Sequence, residues 1–204
     1  MMRIDDTTYE VKENNRYKVQ TAKKQIVIGM SLRKNGHHIT RLTHKEFGNT
    51  KKWNTFTITR DGVVYQHYNP KFYSDFLGIK DADRLSISIV LENMGYLFQT
   101  SDGKYINWLN EECEEENVIA YDYLGYNYWE RFTIEQIKNV VLLCKKLCKE
   151  FGIKKECIEF HPYHKDTVKF EGIVFRSNYI EDSSDTNPLF DIEKFNKMLK
   201  NGGG

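Results

Sequence analysis

His161 and His164 close the stretch "CIEFHPYH", with Asp166 two residues on and Asp185 further along. Imidazole nitrogens and a carboxylate oxygen are the donors from which a three-ligand zinc site is built, so a His161/His164/Asp set is one chemistry these residue types allow. The other histidines, His37, His38, His44 and His67, are scattered, and no HExxH spacing places two on one helical face. The plain alternative for His161 and His164 is a pair of solvated loop side chains. A second chemistry is a nucleophilic Cys/His pair of Cys144 or Cys157 with His161. Against it, Cys144 and Cys148 stand four apart on a helix-packing stripe, and Cys157 has no orienting partner. There is no CxxC pair, so most of the cysteines read as buried and reduced. The glycines make no phosphate-cradling GxGxxG or GxxxxGK[ST] loop.

Positioning such residues is the task of the surrounding elements. Residues 25–31 predict a buried strand, and residues 39–48 have helical spacing with a Gly stop. Residues 53–67 alternate on either side of Asp61-Gly62, the pattern of a β-hairpin. Residues 68–84 read as an aromatic-containing loop and 85–91 as another buried strand. Residues 95–130, with the block "EECEEE" at 111–116, read as a solvated loop insertion whose aromatics pack it onto the domain. Thr133 and Gln136 form a capping box ahead of an amphipathic helix that Gly152 ends. A strand over 153–160 and a short helix over 191–200 complete the pattern. These elements predict an α/β fold: a single domain with a central mixed β-sheet covered by helices. Residues 1–24 are expected to be an N-terminal arm, 25–200 the domain with its insertion at about 95–130, and 201–204 a flexible tail.

Composition excludes several classes. The 204 residues carry 30 Lys+Arg against 29 Asp+Glu, and basic residues occur as scattered pairs, so no nucleic-acid partner is expected. The longest apolar run is far too short for a membrane span, and no membrane partner is expected. The polar N-terminus lacks signal-peptide order, which predicts a protein made in the cytoplasm of its host cell.

A resemblance then organises these pieces. The ordered stretches "IVIGMS", "WNTFTITRDGVVYQ", "SISIVLENMG", "YWERFTIEQIKNVVLLCKKL" and "GIVFRSNYIEDSSDTNPLFD" are similar to the type-2 N-acetylmuramoyl-L-alanine amidase family, which includes phage lysozyme-type amidases and peptidoglycan recognition proteins. The likeness spans about residues 25–196 and is nearest to the phage-type members. It implies an amidase or peptidoglycan-recognition fold and a zinc ion held by two His and one Cys or Asp, whose water attacks the amide between muramic acid and L-alanine. In this chain the first ligand position falls on Gly29, the second on Arg176 and the third on Asn187. None is a zinc donor: glycine has no side chain, arginine is permanently protonated, and a carboxamide is a poor ligand. The family's supporting positions fall on Val90, Asn54 and Asp185.

The reading that follows is an amidase-fold protein without catalytic residues. Its former groove, made by Gly29, Ser31, Asn54, Arg176, Asp185 and Asn187, binds a peptidoglycan fragment or another small anionic ligand through the Arg176 guanidinium. A structural ion pair of Arg176 with Glu92, Asp182 or Asp185 is the competing role. No cofactor is expected. Two alternatives stand beside this reading. One is an active zinc-dependent amidase or endolysin with relocated ligands His161 and His164. The other is a virion-associated or phage–host interaction protein that uses the fold as a scaffold, with a homo-oligomer or a virion component as partner.

Overall fold

The computed structural model describes residues 2–43, 50–181 and 187–201. His44, Asp182 and Asp185 lie outside the described residues, as do residues 44–48 of the helix expected over 39–48 and the tail after Asn201.

The main sheet contains β1 (Ile4–Asp5), β2 (Gln25–Met30), β3 (Phe56–Ile58), β4 (Val64–Gln66) and β5 (Ser86–Leu91), together with the late strand β11 (Gly172–Phe175), in the order β1-β4-β3-β5-β2-β11. All neighbours are parallel except the β3–β4 hairpin. Every residue of β2, β5 and β11 is buried, as expected of parallel strands covered on both faces. Lateral pairing aligns Phe175, Ile28, Ile89 and Phe56 in one row and Met30, Leu91 and Ile58 in another. The hairpin turn forms because Gly62 takes φ 85°, a conformation most side chains resist.

Four α-helices are described: α1 (His37–Thr40), α2 (Lys80–Leu85), α3 (Ile134–Phe151) and α4 (Ile192–Lys200). α3 starts at the capping box, with Thr133 Oγ1 accepting from the Gln136 amide at 3.1 Å, and stops at Gly152 in the left-handed conformation. Its buried stripe of Val140, Val141, Cys144, Leu147 and Cys148 joins one core with the sheet and with Phe195 and Leu199 of α4. All four cysteines are buried and free. Burial raises the thiol pKa of Cys113 to about 12 and of Cys148 to about 11, which keeps both protonated.

Three expectations need correction. The insertion is not a solvated loop. It is a five-stranded antiparallel sheet of β6 (Tyr96–Gln99), β7 (Tyr105–Ile106), β8 (Glu112–Cys113), β9 (Val118–Tyr123) and β10 (Tyr126–Glu130), in the order β8-β7-β6-β10-β9. Its own small core of Met94, Leu97 and Cys113 holds it together, so part of the acidic block forms a strand. The strand expected over 153–160 is reduced to a single bridge of Cys157 with Ile173, because β11 takes the place beside β2. Residues 68–84 contain the start of α2, whose Asp83 carboxylate accepts from the Leu77 and Ile79 amides at 2.8 and 3.1 Å. Residues 2–24 are packed on the domain: β1 pairs with β4, and the Val11 amide donates to the His67 carbonyl at 2.8 Å.

Thr133 caps α3 and also donates to the Arg60 carbonyl at 2.6 Å, joining the helix start to the hairpin. Thr133→Ala is therefore expected to lower stability by about 1–2 kcal/mol. Urea unfolding should show a lower midpoint at an unchanged slope.

Candidate functional site

The register of two strands builds the site. β2 and β11 run parallel with Ile28 opposite Phe175, so the next residues, Gly29 and Arg176, come side by side where the pairing ends. A Cβ placed on Gly29 would lie 3.4 Å from both Cβ and Cδ of Arg176, and 3.4 Å from the tip of the Phe76 ring. The arginine stem and the phenyl ring thus fill the space that a side chain at position 29 would enter. The guanidinium carbon sits 5.5 Å from the Phe76 ring centroid, a cation–π arrangement. Val90 continues the row on β5.

Asn187 reaches the same place from the other side. Gly29 and Asn187 line a crevice of about 10 Å³ with His161, Phe132 and Phe190, room for about one water. The Asn187 carboxamide is fully engaged: Nδ2 donates to Asn93 Oδ1 and to the Glu130 carbonyl, both at 3.0 Å, while Oδ1 accepts from the Leu189 amide at 2.9 Å. Ser31 joins this network, its Oγ accepting from the Asn93 amide at 3.2 Å.

His161 and His164 part company. The His161 ring packs on Phe175 with centroids 4.6 Å apart and donates through Nε2 to the Phe190 carbonyl at 3.3 Å, while Nδ1 is buried without a partner. Burial lowers its pKa from the ordinary value, so it holds the neutral form. His164 is exposed outside the crevice, accepting from the Asp166 amide at 3.3 Å.

Asn54 is buried at 1% exposure and spends its side chain inward. Its Nδ2 donates to Thr57 Oγ1 at 2.8 Å and its Oδ1 accepts from His38 Nε2 at 3.0 Å. His67 Nδ1 must donate to the Tyr9 carbonyl at 2.7 Å, which leaves Nε2 to accept from Thr57 Oγ1 at 2.7 Å. Both imidazoles are therefore neutral. Burial, the largest cause, lowers the pKa of His38 to about 3 and that of His67 to about 4.

Of the expected groove residues, the structure brings Gly29, Arg176 and Asn187 together and links Ser31 to them, and it sets Asn54 in a separate buried network. Phe76 enters the site from a segment outside the resembling stretches, while Asn93, Phe132 and Phe190 lie within those stretches but are not singled out by residue type. Glu92, two residues beyond Val90, is also unforeseen as a ligand of backbone: its carboxylate accepts from the Gly36 amide at 2.8 Å and the Ile39 amide at 3.3 Å.

This fold is that of the N-acetylmuramoyl-L-alanine amidases. The family model described as N-acetylmuramoyl-L-alanine amidase matches residues 18–172, and the chain belongs to that family. The match ends before Arg176 and Asn187. Among solved structures, the chain is similar to the N-acetylmuramoyl-L-alanine amidase LysC from Clostridium intestinale URNW, at 13% identity and TM-score 0.58 over 98% of each chain. It is similar to a mutant endolysin from Bacillus subtilis at 16% identity and TM-score 0.56, covering 98% of this chain and 99% of that one. It is also similar to the amidase AmiD from E. coli in complex with the substrate anhydro-N-acetylmuramic acid-L-Ala-D-gamma-Glu-L-Lys, at 16% identity and TM-score 0.59 over 89% of this chain and 59% of that one. No curated protein matches the sequence.

The described residues at the positions that the resemblance gives as zinc ligands do not fit that ion. Gly29 offers no donor, Arg176 brings a fixed positive charge, and both ends of the Asn187 carboxamide are taken. His161 Nδ1 is one imidazole donor in the crevice, and among the described residues no three His, Cys, Asp or Glu side chains converge.

Two measurements check this geometry. Gly29→Ala should be nearly neutral, because its Cβ meets only ordinary 3.4 Å contacts, whereas Gly29→His should cost roughly 1–3 kcal/mol by overpacking against Arg176 and Phe76. Adding Arg176→Ala should recover part of that loss in a thermal-unfolding double-mutant cycle. Below pH 6.5 the unfolded chain takes up protons at His67 that the folded chain refuses until about pH 4, so this residue's contribution is full above pH 6.5 and shrinks as pH falls. The stability difference between wild type and His67→Gln should therefore narrow by up to roughly 3 kcal/mol from pH 7 to pH 4 in urea titrations.

Proposed function

We propose that this chain is a non-hydrolytic member of the amidase family that binds peptidoglycan fragments in the former substrate groove. The observation that supports this reading is the packing of Arg176 and Phe76 into the space beside Gly29, with Arg176 standing at what the resemblance gives as a zinc-ligand position. A guanidinium recognises carboxylates by paired hydrogen bonds. The ligand named with the E. coli relative, a sugar joined to a peptide containing Glu, belongs to the chemical class that such a groove would take. The domain's core does not depend on a metal, so loss of hydrolysis need not cost the fold.

The test combines three readouts on protein purified without chelator: zinc by plasma mass spectrometry, clearing of purified peptidoglycan, and calorimetric binding of an N-acetylmuramyl tripeptide. The expected result is well below one zinc per chain, no clearing, and saturable binding that Arg176→Ala weakens about tenfold or more. One zinc per chain that His161→Ala removes, together with clearing, would overturn the reading in favour of a relocated catalytic site. No binding by a folded, metal-free chain would leave the fold as an interaction scaffold.

A further inference from the structure

The insertion sheet carries a second surface that the groove does not explain. Tyr96 and Phe98 project from one face of β6, and cross-strand pairing puts Trp129 and Ile119 on that same face. Tyr121 and Tyr123 follow Ile119 at a spacing of two, and Tyr126 stacks on Tyr96 at 4.0 Å. Trp129 is fully buried, with Tyr123 and Tyr126 ring centroids 6.1 and 5.9 Å away, so the outer rings rest on a rigid floor. Phe98 is 46% exposed and Tyr121 50%. The hydroxyls of Tyr121, Tyr123 and Tyr126 have no hydrogen-bond partner among the described residues.

Charge narrows what can lie on this face. Residues 95–130 hold eight carboxylates against Lys104 alone, a formal −7 in a chain whose total is +1. The side chains of the face itself carry no charge, and Arg131 and Lys194 line the depression beside it, so the face suits a neutral ligand. Flat rings with unspent hydroxyls offer an apolar face to the C–H side of a sugar ring and a hydrogen-bonding edge to its hydroxyls. The face also runs on into the groove: Ile119, Phe132 and Phe190 line one depression of about 330 Å³, and Phe132 and Phe190 line the crevice of Gly29 and Asn187.

We propose that this aromatic face is a binding platform for a neutral chain of N-acetylated sugars, the glycan strand of peptidoglycan, laid beside the groove that takes its peptide. The choice of polymer rests on the function proposed above. The platform itself is tested with a probe that has no peptide and no charge.

That probe is chitohexaose, a soluble hexamer of N-acetylglucosamine, titrated calorimetrically into the full chain. Wild type should bind saturably. Tyr121→Ala should weaken binding about tenfold or more with an unchanged melting temperature, and Tyr121→Phe should keep most of it. Arg176→Ala should leave hexasaccharide binding intact while losing the muramyl tripeptide, which separates failure of the groove from failure of the platform. No saturable binding at millimolar hexasaccharide, or equal binding by Tyr121→Ala, would overturn the proposal. So would a concentration-dependent dimer in light scattering that Phe98→Ala with Tyr121→Ala abolishes, since the face would then belong to a second copy of the chain.

Discussion

The parallel register of β2 against β11 is the constraint on which the candidate site depends. It brings positions 29 and 176 into lateral contact at the strand ends, where one long side chain fills the space. The Arg176 stem and the Phe76 ring leave position 29 only the volume of glycine or alanine. The glycine and the arginine thus form one packing unit. A charge of fixed sign now stands at the end of a sheet whose remaining rows are apolar and close-packed.

Asn187 has a structural task. Asn187 bridges Asn93, at the end of the central strand region, to the Glu130 backbone of β10 in the insertion. Beside it, Arg60 and Glu130 form an ion pair at 3.0 Å with side-chain exposures of 13% and 5%, and Glu130 also accepts from the Met94 amide at 2.7 Å. Burial pushes the Glu130 carboxyl above its ordinary pKa, against the pull of Arg60. Such a pair adds little net stability, yet removing one partner costs roughly 3–5 kcal/mol because the other charge is left buried and alone. The insertion is therefore held in a definite place next to the crevice of Gly29 and Asn187, and its aromatic face is presented from a fixed position.

Much of the scaffold was legible in local signals. The Thr133–Gln136 box, the Gly152 stop and the Asp61-Gly62 turn act within a few residues, and each produced the element it signals. The insertion was not legible as a sheet. Its strands run to only two to six residues, and the Glu-rich run masks a strand whose Cys113 is buried only once Leu97 and Met94 pack over it. Residues 153–160 have the composition of a strand, but the place beside β2 goes to β11.

By itself the sequence determined which residue types stand at the candidate site: a glycine, an arginine and an asparagine at the positions to which the resemblance assigns metal ligands. Residue type alone settles that these side chains are not zinc donors, because donor chemistry belongs to the side chain wherever it lies. Only the tertiary structure decided what those residues do instead. The contact of Arg176 with Gly29, the engagement of Asn187 with the insertion, the retreat of Asn54 into a histidine network and the gathering of the exposed tyrosines all arise from pairings between distant segments. Such pairings are selected by the joint burial and hydrogen-bond satisfaction of the whole chain, which no local stretch of sequence encodes.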